Sequence, residues 1–172
     1  MEELTDILTQ ATALIAPEYF NLPIDGGDPV YRERVYCYEL YHQMRALWPD
    51  YGEYFLNGEV DKGGHPYFQE LGSLKPDFII HKPGTGNNYA AIEVKAGAAA
   101  AKDIQKDVGT LLTFLGLGYQ RALYIVYGDH PETVRERISG AIQDPAALDA
   151  FELWVHYAVG EPAVVVPFDQ NE

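Results

Sequence analysis

The chain has 172 residues, 47% of them hydrophobic and 22% charged, which suits one packed domain that needs neither disulfides nor a structural metal to fold. A formal net charge of −14 excludes a general electrostatic binder of nucleic acid, because phosphate contacts are built from Lys and Arg. The lone Cys37 excludes an internal disulfide and a cysteine-based zinc site.

The first predicted element is a helix over residues 2–16, where Leu4, Ile7, Leu8, Ala11, Leu14 and Ile15 recur at helical spacing and Pro17 ends the run. Residues 17–30, punctuated by Pro23, Gly26, Gly27 and Pro29, read as an irregular surface connection. A second helix follows over 30–48, with Tyr36, Leu40, Met44 and Leu47 as its core stripe and Trp48-Pro49 as its end. A first strand is expected within 53–61 and a loop from Asp61 to Gly72. Residues 75–82 and 89–95 are two strands joined by Pro83-Gly84-Thr85-Gly86-Asn87-Asn88, a β-hairpin signal. A helix then runs from about Ala98–Ala101 to Leu117, with glycines at 116 and 118 marking its end. A β-prone run at 121–127, a helix at 131–142 and a last strand at 151–159 complete the chain, with Val164 to Val166 in the tail. The domain plan is a single unit over 1–172: an N-terminal helix and connection over 1–29, a core over 30–130, and a C-terminal helix and strand over 131–172.

No basic n-region followed by an apolar segment opens the chain, and no apolar run approaches the roughly 18 residues of a membrane span. With one unpaired cysteine, these features lead to the expectation of a cytoplasmic protein with no membrane segment. The acid is uneven. Residues 1–30 carry six Asp or Glu and no Lys or Arg, whereas 31–130 carry ten basic against twelve acidic residues, so the middle of the chain is nearly neutral.

The hairpin carries the chemistry. Asp77 and Glu93 are equidistant from Thr85, so a symmetric hairpin sets them directly opposite each other. Side chains opposite in an antiparallel pair share a face with Cβ atoms about 4.5–5.5 Å apart. Lys95, two residues beyond Glu93, falls on the same face, while Ile92 and Val94 point to the other. Two carboxylates held that close repel unless a cation lies between them. An Asp, a Glu and a Lys on one surface suit Mg²⁺ or Mn²⁺, a hard cation that takes one or two protein carboxylates and keeps several waters.

Pro76-Asp77, then Glu93-Val94-Lys95, on two hairpin strands with helices before and after, resembles the PD-(D/E)XK nuclease superfamily, the restriction-endonuclease-like fold. The resemblance covers residues 30–127. It implies an α/β fold with an αβββαβ core, a mixed central sheet flanked by helices. It implies Mg²⁺-dependent hydrolysis of phosphodiester bonds, with DNA the favoured substrate. Asp77 and Glu93 would be metal ligands, the Val94 carbonyl a further ligand, and Lys95 the catalytic lysine. The family often places a Glu on its first core helix, and Glu39 matches that position. Lys102, Gln105 and Lys106, on the helix after the motif, would touch substrate phosphates in the nuclease reading; otherwise they form an exposed, solvated polar face with Asp103 and Asp107 interleaved. Glu59, Asp61 and Lys62 lie where they could reach the mouth of the cleft.

Two other readings compete. One is an inactive module of the same fold that binds a protein partner through its acidic surface. The other is a glycoside hydrolase using Asp77 and Glu93 as acid and base, which the short expected separation and the adjacent Lys95 suit less well. Cutting both strands of a duplex would call for a homodimer, and a partner could also supply the missing positive charge. The five histidines show no HxH or HExxH spacing, so no zinc site is expected. His81 reads as a structural histidine, and Tyr36, Tyr38 and Tyr41 as helix packing, although exposed tyrosines can stack on unpaired bases.

Overall fold

The computed structural model describes residues 3–50, 52–59 and 74–168. Its centre is a sheet of six strands among the described residues, in the order β3-β4-β5-β6-β7-β8. β3 (Phe55–Gly58), β4 (Phe78–His81) and β5 (Asn88–Ala96) form an antiparallel meander. β6 (Arg121–Tyr127) and β7 (Glu152–His156) then run parallel to β5, and β8 (Val164–Val165) closes the edge antiparallel to β7. The switch from antiparallel to parallel follows from the connections. A tight turn suffices between β4 and β5, whereas each parallel step needs a crossover. α4 (Ala101–Gly116) makes the first crossover, and α5 (Pro131–Ala141) with the short α6 (Pro145–Asp149) makes the second.

Helices cover both faces of the sheet, so its middle strands are largely apolar on both faces, with Glu93 and Lys95 of β5 as charged exceptions. On one face, Leu4, Leu8 and Ala11 of α1 (Glu3–Ala13) and Tyr36, Leu40 and Met44 of α3 (Glu33–Leu47) pack against Ile92, Val94, Leu123, Ile125 and Tyr127. On the other, Ile104, Val108, Leu111 and Phe114 of α4 and Val134 and Ile138 of α5 pack against Ile79, Ala91, Ala122, Tyr124 and Val126. Successive strand residues serve opposite layers, as the two-residue period of a strand requires. The fold is thus mixed α/β with a six-stranded mixed sheet between helices.

Several expectations need correction. Residues 17–30 are not irregular: they hold a helical turn, α2 (Pro17–Phe20), and a small separate hairpin of β1 (Leu22–Ile24) and β2 (Gly27–Val30). Phe20 is the anchor, with edge-on contacts to Tyr31, Tyr36, Tyr127 and His156. The first strand of the large sheet covers only Phe55–Gly58, because Glu59 takes a left-handed φ of 45° that ends it. The strand expected over 151–159 covers only Glu152–His156, and the tail valines pair back on it as β8. The loop expected from Asp61 to Gly72, with Asp61 and Lys62, lies outside the described residues.

Candidate functional site

The site is built where β4 begins and β5 ends. Phe78 pairs with Ile92, Ile79 with Ala91 and Ile80 with Ala90, the register expected at the site, although the hairpin is not symmetric about Thr85: a bulge between Ile80 and His81 shifts the turn end by one residue, to His81 with Asn88. One step further in that register sets Asp77 opposite Glu93 and Pro76 opposite Val94. Pro76 has no N–H to donate, so the backbone ladder stops there. The Asp77 carboxylate takes its place: Oδ2 accepts a hydrogen bond from the Val94 N–H at 2.7 Å. The N–H and C=O of one strand residue point to the same edge. The Val94 carbonyl therefore also faces Asp77, and the residue opposite it is a proline. The Pro-Asp pair ends a β-ladder so as to leave a carboxylate and a bare carbonyl side by side.

Glu93 is 7% exposed, and its carboxylate and that of Asp77 are within hydrogen-bonding reach of each other. Burial pushes the Asp77 carboxyl up to about 6, against the opposing pull of the Val94 N–H bond. Burial, with the Asp77 and Asp107 charges added to it, pushes Glu93 up to about 9. Both shifts have one cause: negative charge held close, away from water, with too little positive charge beside it.

Lys95 is the cation present. Its Nζ lies 3.0 Å from Glu33 Oε2 and 3.0 Å from Asp107 Oδ2, with the lysine side chain 19% exposed. These two carboxylates outweigh the cost of burial and hold the ammonium charged well above the usual lysine range. Tyr124, on the neighbouring strand, donates its hydroxyl to Asp107 at 3.4 Å. Lys95 is thus fixed from three elements: the start of α3, the second turn of α4, and its own strand.

The backbone around this group is close-packed. A Cβ on Gly97, one residue past β5, would lie 2.3 Å from the Asp129 Cβ, so only glycine fits. Gly128, after β6, has φ +82° and sits under the Tyr31 ring, where a Cβ would be 2.5 Å from a ring carbon. Two hollows flank the site. One of about 370 Å³ is lined by Tyr38, Tyr41, Phe78 and Asp77, and a broad groove of about 550 Å³ runs past Tyr31, Glu33, Lys95 and Asp103.

The other sequence-derived candidates fall differently. Glu39 does not join the group: its Oε1 accepts a hydrogen bond from Gln43 Nε2 at 2.7 Å. Glu33 reaches Lys95 from the same helix instead. Counted at about 100° per residue, Glu33 lies in line with Tyr36, Leu40 and Met44, whereas Glu39 lies about 100° away from that line. The periodicity therefore puts Glu33 on the sheet-facing side without saying what it meets there. Asp107 is not a solvated acid of the α4 face but is 4% exposed. It stands three residues after Ile104 and four before Leu111, inside the apolar stripe, which marks a buried acid with a partner. Lys102 and Lys106 are exposed on α4. Gln105 donates to the Ala141 carbonyl at 2.9 Å and so caps the end of α5. His81 is structural, its Nε2 lying 2.9 Å from Asn57 Oδ1 on β3. Glu59 pairs with Arg34 at 2.7 Å on the surface.

Among the described residues, no three or more His, Cys, Asp or Glu side chains form a metal-binding group. The oxygen donors that face one another are the Asp77 and Glu93 carboxylates and the Val94 carbonyl. A site of that kind leaves most coordination positions to water, as Mg²⁺ prefers and structural zinc does not. Among the described residues no helix is long and apolar enough to cross a membrane. No protein-family model and no curated protein matches the chain.

Proposed function

We propose that the protein is a metal-dependent nuclease that hydrolyses phosphodiester bonds of nucleic acid, with DNA the favoured substrate. The observation that carries this reading is the pairing of Asp77 with Glu93 across the hairpin, with Val94 between them and Lys95 on the same face. The order α3, β3, β4, β5, α4, β6 supports it, being the αβββαβ succession of the PD-(D/E)XK superfamily that the motif resembles.

Asp77, Glu93 and the Val94 carbonyl would hold Mg²⁺ or Mn²⁺. When bound, such an ion lowers the pKa of a water and stabilises negative charge on a phosphate under attack. Asp77 has two tasks. One oxygen holds the Val94 N–H and so fixes the turn of the strand, while the carboxylate as a whole, within reach of Glu93, would supply a ligand. Lys95, kept charged by Glu33 and Asp107, acts as a fixed cation for a developing phosphorane or for orienting a water, not as a proton acceptor. Its two partners hold it in place before substrate arrives, so no reorganisation is needed at the moment of reaction.

The experiment is cleavage of a panel of single- and double-stranded DNA and RNA with Mg²⁺, Mn²⁺ or EDTA. Wild-type protein should cut only with metal. Asp77→Asn, Glu93→Gln and Lys95→Ala should each lose about 10²-fold or more, the usual cost of removing a positioned electrostatic group. Calorimetry with Mn²⁺ should show binding lost in the two carboxylate variants and kept in Lys95→Ala. Metal binding without cleavage of any substrate would favour an inactive module that binds a partner.

A further inference from the structure

The hollow beside Asp77 has no part in the chemistry just described. It lies between α3 and the β3–β4 edge, encloses about 370 Å³, and is walled by Tyr38, Tyr41 and Phe78, with Asp77 at one side. Tyr41 and Phe78 are stacked with ring centroids 6.1 Å apart, and Tyr41 is tied down by its hydroxyl, which donates to the Leu56 carbonyl at 3.4 Å. Tyr38 is different: it is 62% exposed, and its side chain is hydrogen-bonded to Arg34. Arg34, one turn before Tyr38 on the same helix face, stands at the rim with its guanidinium exposed, hydrogen-bonded to the Tyr38 side chain and paired with the surface carboxylate of Glu59.

We infer that this hollow receives an unpaired nucleobase of the substrate, stacked on Tyr38, while the adjoining phosphate lies at Asp77 and Glu93 and Arg34 meets the next phosphate along the strand. The inference rests on the nuclease reading and narrows it to strands whose bases can leave the stack.

Three observations converge on a base. The walls are flat aromatic rings, and the hollow is of the size that holds small ligands. Its inner side is a residue of the phosphate site, so base and phosphate would belong to one nucleotide. The charge of the chain supplies the third. With −14 overall and ten basic against twelve acidic residues over 31–130, this protein has little of the excess of Lys and Arg by which duplex DNA is gripped. Stacking needs no positive charge and tolerates any sequence, because every base has a π-face. A base inside a duplex presents no free face, so the preference should be for single strands, ends or flaps.

The test uses oligonucleotides carrying 2-aminopurine, whose emission is quenched on stacking, with Ca²⁺ in place of Mg²⁺ so that binding is read without cleavage. Wild-type protein should quench a single-stranded oligonucleotide and bind it at least 10-fold more tightly than the matching duplex. Tyr38→Ala should weaken binding about 10-fold or more and abolish the quench, in line with the usual worth of one stacked base. Tyr38→Phe, which keeps the ring, should restore both. Tyr38 lies outside the core, so neither variant should fail to fold. Unchanged binding and quench in Tyr38→Ala, or tighter binding of duplex, would overturn the inference while leaving the nuclease reading intact. Quenching that depends on Tyr38, with no cleavage of any substrate under Mg²⁺ or Mn²⁺, would uphold the pocket and sink the nuclease reading instead.

Discussion

Lys95 Nζ lies 3.0 Å from Asp107 Oδ2, and this contact joins the end of the motif strand to the helix that follows it. A lysine held by one carboxylate can swing; one held between Asp107 and Glu33 has a single position. The pair also explains why a buried acid is tolerated on α4. Asp107 is 4% exposed, yet it has an ion-pair partner and a hydroxyl donor in Tyr124.

Asp107 is therefore expected to position the lysine rather than touch substrate. Asp107→Asn keeps the shape of the side chain and removes its charge. The expected result is a fall in kcat of about 10-fold or more with little change in KM, the signature of an interaction made in the transition state. In the Lys95→Ala background the same substitution should have little further effect, since two residues acting through one cation are not additive. Steady-state kinetics on the four proteins of that cycle would check it. Full additivity would separate Asp107 from Lys95.

The carboxylate pair sets a pH dependence. Asp77 and Glu93 hold their protons more tightly folded, with pKa values near 6 and 9, than unfolded, near the ordinary carboxylate value of about 4. A group whose pKa is raised by folding adds stability below its unfolded pKa, and that contribution is lost as pH rises through the folded value. The stabilising contribution of this pair should thus fall from about pH 4 to 9 in metal-free protein, with Glu33, Asp107 and Lys95 facing it, while His156 acts in the opposite sense below about pH 6.5. Glu93→Gln should flatten the upper part of the curve. Mg²⁺ should raise Tm more at pH 8.5 than at pH 5, because protons compete with it for the same oxygens. Thermal melts across pH, with and without Mg²⁺, give the answer; a Tm that rises steadily from pH 5 to 9 in metal-free protein would contradict it.

The three α4 residues expected at the substrate should separate. Lys102 and Lys106 are exposed, so replacing both with Ala should leave stability within about 0.5 kcal/mol and weaken nucleic-acid binding at low salt only. Gln105 caps α5 through the Ala141 carbonyl, so Gln105→Ala should cost about 1 kcal/mol of stability and leave the salt slope of binding unchanged. Denaturant melts and a salt titration of binding distinguish the two behaviours.

Beneath α3 lies a second buried polar contact. Tyr36, fully buried, lies with its hydroxyl 2.9 Å from His156 Nδ1 and its ring stacked on Tyr127 at 3.9 Å. Burial holds His156 neutral, with its pKa pushed down to about 4. A histidine whose pKa is lowered by folding adds stability above its unfolded value of about 6.5, and that contribution is lost as pH falls toward the folded one. Tyr36→Phe should cost about 1–3 kcal/mol by leaving the imidazole nitrogen without its partner. His156→Phe should reduce the loss of stability between about pH 6.5 and 4. Melts at pH 7 and pH 4.5 compare the two.

The sequence alone determined the local facts. The apolar alternation set the hairpin register at the site, because a strand has a two-residue period and a slip by one would turn Ile92 and Val94 out of the core; a bulge between Ile80 and His81 absorbs the one-residue offset of the turn. Asp77, Glu93 and Lys95 follow from that register, since their mutual placement depends on contacts only a few residues long. The apolar stripes of α1, α3 and α4 were legible for the same reason. The tertiary structure decided what comes from elsewhere in the chain. Which α3 acid meets Lys95 depends on how that helix lies against the sheet, and the docking selects Glu33 rather than Glu39. Asp107 changes from a surface acid to a buried partner because α4 crosses over β5 and β6, bringing it to a cation twelve residues earlier in sequence. Phe20 orders residues 17–30 because it finds a cluster of rings from three distant segments. Spacing records which residues share a face, but only packing records what that face meets.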